Sequence, residues 1–199
     1  MIHTTKKFAK MFTVAGLGAA ALLSASLASA EMSLDKGLSQ LTFLTTKNSA
    51  VTEAHTFKNI VGTISDDGKV TVDIDLTSVD TAIAIRDERM QNILFETAKF
   101  ATATFTADVS AVLAEVNQKS IAKATVEGEL SLHGKTVPVT FDVLANEMET
   151  GVVVSTLKPT MIKADQFDLL AGVQQLQEIA KLNSITPVVP TSFVLTFKN

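Results

Sequence analysis

A regular alternation of apolar and polar residues is the feature that most restricts the fold of this chain. Between residues 70 and 76, every second residue is apolar and the residues between them are threonine or aspartate. The same period of two recurs at 101–109, 124–132, 137–143 and 193–197. Successive side chains of a β-strand point to opposite faces, so each segment predicts a strand with one dry and one wet face. Further strands are expected near 40–46, 51–64, 151–157 and 161–168.

Turn and helix signals lie between these strands. The segments 65–68 (Ser-Asp-Asp-Gly) and 133–135 (His-Gly-Lys) are typical of tight hairpins, and His133 is therefore expected to be exposed. Apolar residues at helical spacing predict short helices over 83–95 and 170–182. We therefore expect an all-β domain of about eight or nine antiparallel strands with two short helices, and a closed barrel or a tight sandwich hides its strand edges most simply.

The predicted inward faces combine very large and very small side chains. An eight-stranded barrel is just wide enough either to be filled by side chains or to hold one elongated ligand. Small residues leave room for a ligand, but they also interdigitate with large ones in a solid core, and the pattern alone allows both. The bulky inward residues are Phe57, Phe105, Phe141, Phe193 and Phe197, and the small ones are Ala101, Ala103, Ala107, Ala124 and Gly128.

The N-terminus has the order of a secretory signal peptide. Three lysines within the first ten residues precede an apolar run over 11–27 and the small residues Ala28-Ser29-Ala30. We expect cleavage after Ala30, a single domain over 31–199 and a periplasmic location. Cleavage removes three of the 17 basic residues and none of the 21 acidic ones, which leaves a net charge of −7. So acidic a domain is a poor match for nucleic acid or for anionic membrane surfaces.

Motifs for catalysis or metal binding are weak. Past residue 30 the chain has only His55 and His133 and no cysteine, which is too few soft ligands for a zinc site. Asp73 and Asp75 share the wet face of one strand and are most simply solvated carboxylates rather than calcium ligands. The sequence also has no Gly-x-Ser-x-Gly elbow. We expect no metal, no catalytic residue and no covalent cofactor.

Two segments carry a family resemblance. Residues 76–109 contain Ser-Val-Asp-Thr at a strand end, then Arg-Asp-Glu, then a turn of helix with Phe95 and a strand after Lys99-Phe100. Residues 128–139 read GELSLHGKTVPV, a hairpin that ends in Pro-Val, and His55 with Gly62 forms a looser third match. In this order the segments resemble the YceI-like family of periplasmic proteins. The chain departs from the family where Ala101 replaces the usual proline and over its C-terminal stretch.

The resemblance implies a lipocalin-like antiparallel barrel, eight-stranded, whose lumen holds a long-chain amphiphile. Family members are associated with polyisoprenoids, including isoprenoid quinones and prenyl phosphates, and with long-chain amides. A bound isoprenoid lipid or quinone is therefore expected, with Arg86 and His55 as candidates to face its head group. The remaining residues expected to line the lumen or its mouth are Phe43, Phe57, Ile85, Phe95, Phe105, Phe141 and Phe193.

Other interpretations of these residues stay open. Arg86 and Asp87 could instead pair with neighbours and fix the start of a helix, and His55 could be a satisfied core or rim histidine. The chain could also be a partner-binding module of the cell envelope, which docks through the outer surface of the barrel or through the 170–182 helix, with an exposed apolar patch near Val173, Leu176 and Ile179. A homodimer and a transient contact with the membrane are compatible with the sequence, and an isomerase or hydrolase that acts on a bound lipid is the third candidate.

Overall fold

The computed structural model describes Met1 and residues 31–199, so the predicted signal peptide lies outside the described residues. Within 31–199 it has three α-helices: α1 Ala84–Arg89, α2 Ser110–Lys119 and α3 Leu170–Ile179. The strands of this part of the chain are β1 Met32–Leu34, β2 Gln40–Lys47, β3 Val51–Phe57, β4 Ile60–Ile64, β5 Lys69–Asp75, β6 Val79–Asp80, β7 Thr102–Asp108, β8 Ile121–Leu132, β9 Lys135–Met148, β10 Gly151–Thr156, β11 Thr160–Lys163 and β12 Val188–Lys198.

The strands form one closed antiparallel barrel. Four pairs of consecutive strands, β1 with β2, β3 with β4, β5 with β6 and β10 with β11, each act as one interrupted run, so the described part of the chain has eight runs. Each run pairs with the next along the chain, and β12 closes the ring by pairing with β1 and β2 on one side and with β10 and β11 on the other. The predicted eight-stranded barrel is confirmed.

The chain is interrupted between β3 and β4 because the inward-facing residues change from odd-numbered to even-numbered positions there. In β3 the cavity-lining residues His55 and Phe57 have odd numbers, whereas Ile60 and Ile64 of β4 are buried and have even numbers. Because side chains alternate strictly along a strand, one extra residue must be inserted to keep both sets inside. The segment 51–64 is therefore two strands and not the single strand that the sequence indicated.

The two predicted hairpin turns are present. Gly68 and Gly134 have φ of 78° and 74°, the left-handed region that side chains with a Cβ atom rarely adopt. The 83–95 helix is present as α1 followed by one π-helical stretch over Met90–Leu94, which ends with Phe95 N donating to Met90 O over 2.9 Å. The π-helical turn directs Phe95 into the barrel, where it is 6% exposed.

Two elements differ from the sequence prediction. Helix α2 was not predicted, although Val112, Leu113 and Val116 lie on one side of it and pack against the barrel core. The strand expected over 161–168 ends at Lys163, and Ala164–Phe167 forms a 3-10 turn with Phe167 completely buried. Short 3-10 turns also occupy Lys36–Leu38 and Leu76–Ser78. Among the described residues, no helix combines the length and the hydropathy that a membrane span requires.

Candidate functional site

The barrel encloses a cavity of about 460 Å³. Its wall is built mainly from the inward residues of the strands, and α1, the π-helical stretch, α2 and α3 also contribute to it. Cavities of roughly 300–1,000 Å³ are the usual size of ligand pockets in proteins. The barrel is therefore hollow, which the sequence pattern alone did not decide.

Small residues serve two different purposes in this wall. Ala103 and Ala145 are buried and line the cavity directly, so they leave space for a ligand. At Gly128 the space is already filled, because an added Cβ would lie 2.4 Å from the Cζ atom of the Phe105 ring. Ala101, which we expected to point inward, is exposed just before β7 begins. Both interpretations of the small residues thus hold, each at different positions.

Two groups of aromatic rings form most of the bulky lining. Phe43, Phe57 and Phe95 pack in sequence, with ring centroids 5.2 and 6.0 Å apart. Phe141 lies between Phe105 and Phe193 in near edge-to-face contacts, with centroids 5.3 and 5.1 Å away. Such tilted and edge-to-face arrangements are the favoured geometries of aromatic pairs. The result is an apolar wall of packed aromatic rings along the cavity.

One end of the cavity is polar. Along the inward face of β2, Phe43 is followed by Thr45 and then Lys47. The paired face of β3 runs in the opposite direction, so Phe43 lies opposite His55 and Thr45 lies opposite Glu53. The lining therefore changes from aromatic to polar and charged toward the β2–β3 hairpin.

His55 lies at the boundary between the aromatic and polar parts. It is 5% exposed, its ring centroid is 5.4 Å from that of Phe43, and its Nε2 is 2.9 Å from the hydroxyl of Thr45. Nδ1 is buried and has no hydrogen-bond partner among the described residues. Burial, with the positive charge of Arg86 adding to it, lowers the pKa of His55 below its ordinary value, which favours the neutral ring.

Arg86 reaches this region from α1. Its Nη1 donates to Glu53 Oε2 over 2.8 Å and its Nη2 to the carbonyl of Thr81 over 2.6 Å, whereas its buried Nε has no partner in residues 31–199. Glu53 also forms an ion pair with Lys47, and hydrogen bonds from Lys47 and then Arg86 hold the pKa of Glu53 below its ordinary value. Arg86 thus fixes the entry to the helix, as the structural interpretation of its sequence predicted, while it also lines the cavity.

The segment that enters α1 forms part of the cavity mouth. Ile83 and Ile85 line the cavity and are 47% and 53% exposed, so the cavity reaches solvent beside them. Asp87 stabilises this segment by accepting a hydrogen bond from the backbone N–H of Thr81 over 2.8 Å. Arg89 also lines the mouth, and it forms no ion pair with another described residue.

Helix α3 covers the cavity instead of presenting a docking patch. Val173 and Leu176 line the cavity and are half-buried, and of the three residues expected to form the patch only Ile179 is exposed, at 39%. Gly172 lies against the π-helical stretch so closely that a Cβ there would come within 2.9 Å of the Cα of Leu94. The exposed apolar patch that the partner-binding hypothesis required near these residues is therefore not present.

The side chain of His133 is largely buried, although its position in a turn predicted an exposed residue. The residue does lie in the hairpin turn, but its side chain is only 12% exposed, with Nε2 3.0 Å from Glu96 Oε2 and Nδ1 3.1 Å from the carbonyl oxygen of Phe167. The ring links the turn to two distant segments, which a hairpin motif does not reveal. No group of three or more residues in the described part of the chain has the arrangement of a metal site.

All nine residues that the sequence indicated as ligand-binding line the cavity, and their role in binding stays a prediction. They come from five strands, α1 and the end of the π-helical stretch. Sequence reasoning missed Thr45 and Lys47 at the polar end, which the alternation along β2 places on the same face as Phe43. It also missed lining residues of the two later helices, Val112, Leu113, Val173 and Leu176.

Comparison with known proteins gives the same fold. A polyisoprenoid binding domain from Saccharophagus degradans, implicated in plant cell wall breakdown, superposes with a TM-score of 0.80 at 36% identity over 84% of this chain and 97% of that one. BcnA from Burkholderia cenocepacia gives 0.64 at 19% identity over 82% and 98%, and a mutant CJ YCEI protein with a monobromobimane guest gives 0.52 at 19% over 73% and 84%. The two at 19% identity show the fold alone.

The sequence comparison covers almost the whole described barrel. No curated protein sequence matches the chain. The model of the YceI-like domain matches residues 32–197, from the first strand to the last. With this match and a solved relative at 36% identity, the chain belongs to the YceI-like family.

Proposed function

We propose that this protein is a periplasmic carrier that holds a long-chain amphiphile, a polyisoprenoid or an isoprenoid quinone, in its barrel cavity without converting it chemically. The observation that supports this most strongly is the cavity itself, about 460 Å³ in volume, with an aromatic and aliphatic wall and a polar region at one end. An amphiphile has the same two parts. The relative from Saccharophagus degradans is a polyisoprenoid binding domain, which supports the isoprenoid class of tail.

Burial of the tail supplies enough free energy for binding. Each buried methylene contributes about 0.8 kcal/mol, so roughly ten buried chain carbons contribute about 8 kcal/mol before ordering costs. A free energy of that size corresponds to a dissociation constant of about 1 μM. The polar end of the cavity then needs only to orient the head group, which a few hydrogen bonds accomplish.

The mouth supports a transient contact with a membrane surface. Ile83 and Ile85 are the exposed rim of the same cavity that receives the tail, so a lipid leaving a bilayer at this point remains in contact with apolar side chains. The periplasmic location rests on the signal-peptide pattern of residues 1–30. A homodimer and a contact with an envelope protein stay predictions from the sequence.

Organic extraction of the protein purified from its native host tests the proposal. Mass spectrometry of the extract is expected to detect one long-chain isoprenoid lipid or quinone in a near-stoichiometric amount. A matched extraction of a variant with a filled cavity, Ala103→Leu, serves as the control and is expected to yield much less. If exhaustive extraction of the native protein yields no lipid, the carrier function is wrong.

A further inference from the structure

The polar end of the cavity holds two buried nitrogen atoms without partners. These are Nδ1 of His55 and Nε of Arg86, and no other side-chain nitrogen or oxygen within the described residues has this status. A buried polar group without a hydrogen bond is costly, and most such groups in folded proteins are satisfied. Both residues line the same cavity, and Arg86 binds Glu53, the residue two positions before His55 on the same face of β3. Together they indicate where a polar atom of a ligand is needed.

The chemistry of the two nitrogens restricts that atom to a hydrogen-bond acceptor. The Nε–H of an arginine can only donate. The neutral imidazole of His55 donates from Nδ1 when its Nε2 accepts the hydroxyl hydrogen of Thr45, an arrangement that the 2.9 Å separation allows. An acceptor oxygen at this end of the cavity is the partner that each of these donors lacks.

The charges around this position favour an uncharged oxygen. The guanidinium of Arg86 is already paired with Glu53, and the same carboxylate also binds Lys47. The mouth has three cations, Lys47, Arg86 and Arg89, and two anions, Glu53 and Asp87. Its net charge is therefore only +1. A diphosphate carries about two to three negative charges, and a buried charge is stable only when it is paired. Here it would approach the Glu53 carboxylate and a neutral histidine.

We propose that the head-group site selects an uncharged carbonyl oxygen, such as that of a quinone or an amide, over a prenyl diphosphate, and that His55 and Arg86 are the residues that select it. The lowered pKa of His55 is in line with a neutral donor at this position. This inference rests on the proposed carrier function, because it assumes that an amphiphile occupies the cavity. It goes further by choosing between the two head-group classes that the carrier function leaves open.

Binding of ligands that share one tail tests the choice. The probes are a menaquinone with a geranylgeranyl side chain and geranylgeranyl diphosphate, each titrated into delipidated full-length mature protein. We expect the quinone to bind about tenfold or more tightly than the diphosphate, since one satisfied buried hydrogen bond is worth roughly that factor. If the diphosphate binds as tightly or more tightly, the inference is wrong although the carrier function stands. If neither binds, the carrier function itself fails and the inference fails with it.

Three substitutions test the named residues. His55→Phe keeps an aromatic ring beside Phe43 but removes Nδ1, and Arg86→Lys keeps the charge that pairs with Glu53 but removes Nε. Both are expected to weaken quinone binding by about tenfold and to leave diphosphate binding nearly unchanged. Glu53→Gln is expected to act in the opposite direction and strengthen diphosphate binding, because it frees the charges of Lys47 and Arg86. Folded His55→Phe and Arg86→Lys proteins that bind the quinone normally would overturn the assignment.

Discussion

A substitution that fills part of the cavity tests whether the ligand binds inside the barrel, because it should weaken ligand binding without destabilising the fold. Ala103 is 3% exposed and lines the cavity, so Ala103→Leu projects three additional carbon atoms into it. If these displace an equal number of ligand carbons at about 0.8 kcal/mol each, the loss is about 2.4 kcal/mol, or roughly fiftyfold in affinity. The space that receives the new side chain already exists, so the free energy of unfolding should change by less than about 1 kcal/mol.

The assay is a titration of each protein with the geranylgeranyl-substituted menaquinone, accompanied by urea unfolding. The matched control is Ala54→Leu, which adds the same atoms to an exposed position of β3 and should leave the affinity unchanged. Unchanged affinity in a folded Ala103→Leu protein would refute the placement of the ligand in the cavity. Strong destabilisation by Ala103→Leu would refute the claim that there is room beside this residue.

Three further predictions concern packing and pH. Gly128→Ala forces a Cβ against both the Phe105 ring and the carbonyl oxygen of Thr106, and is expected to lower the free energy of unfolding by about 1–3 kcal/mol in urea unfolding; an unchanged stability would contradict these contacts. Gly172→Ala should push α3 away from Leu94 and speed the release of bound quinone in stopped-flow measurements, while an unchanged rate would show that α3 does not cover the ligand. Because the pKa of His55 is lowered in the folded protein, the unfolded chain binds the proton more readily, and stability should fall as the pH drops below about 6.5. His55→Phe should reduce this pH dependence in urea unfolding, and an identical dependence would contradict the shift.

The barrel could be predicted from the sequence because its strands obey one simple rule. In β8, the even-numbered residues from Ala122 to Leu132 are more buried than most of their neighbours, as the alternation indicates. A half-buried strand cannot change this pattern without moving its apolar side chains into water. The positions of the lining residues therefore follow from the parity of each strand, and this is why the residues named from the sequence line a common cavity.

The parts that escaped prediction depend on contacts between distant segments. The break between β3 and β4 shows in the sequence only as a parity change between Phe57 and Ile60. Helix α2 has only a short apolar stripe, formed by Val112, Leu113 and Val116. Three positions are a weak helical signal directly after a strand. The partners of His133 lie 34 and 37 residues away, and no local pattern contains that information. The polar end of the cavity likewise forms only when α1 meets the β2–β3 hairpin.

An isoprenoid chain in the cavity would be visible in a crystal structure of the mature protein purified from its native host. We expect continuous tubular density along the cavity, passing the Phe105, Phe141 and Phe193 rings and ending in a polar head beside His55 and Arg86. A barrel centre filled by its own side chains, with no density for a long-chain molecule, would contradict this expectation.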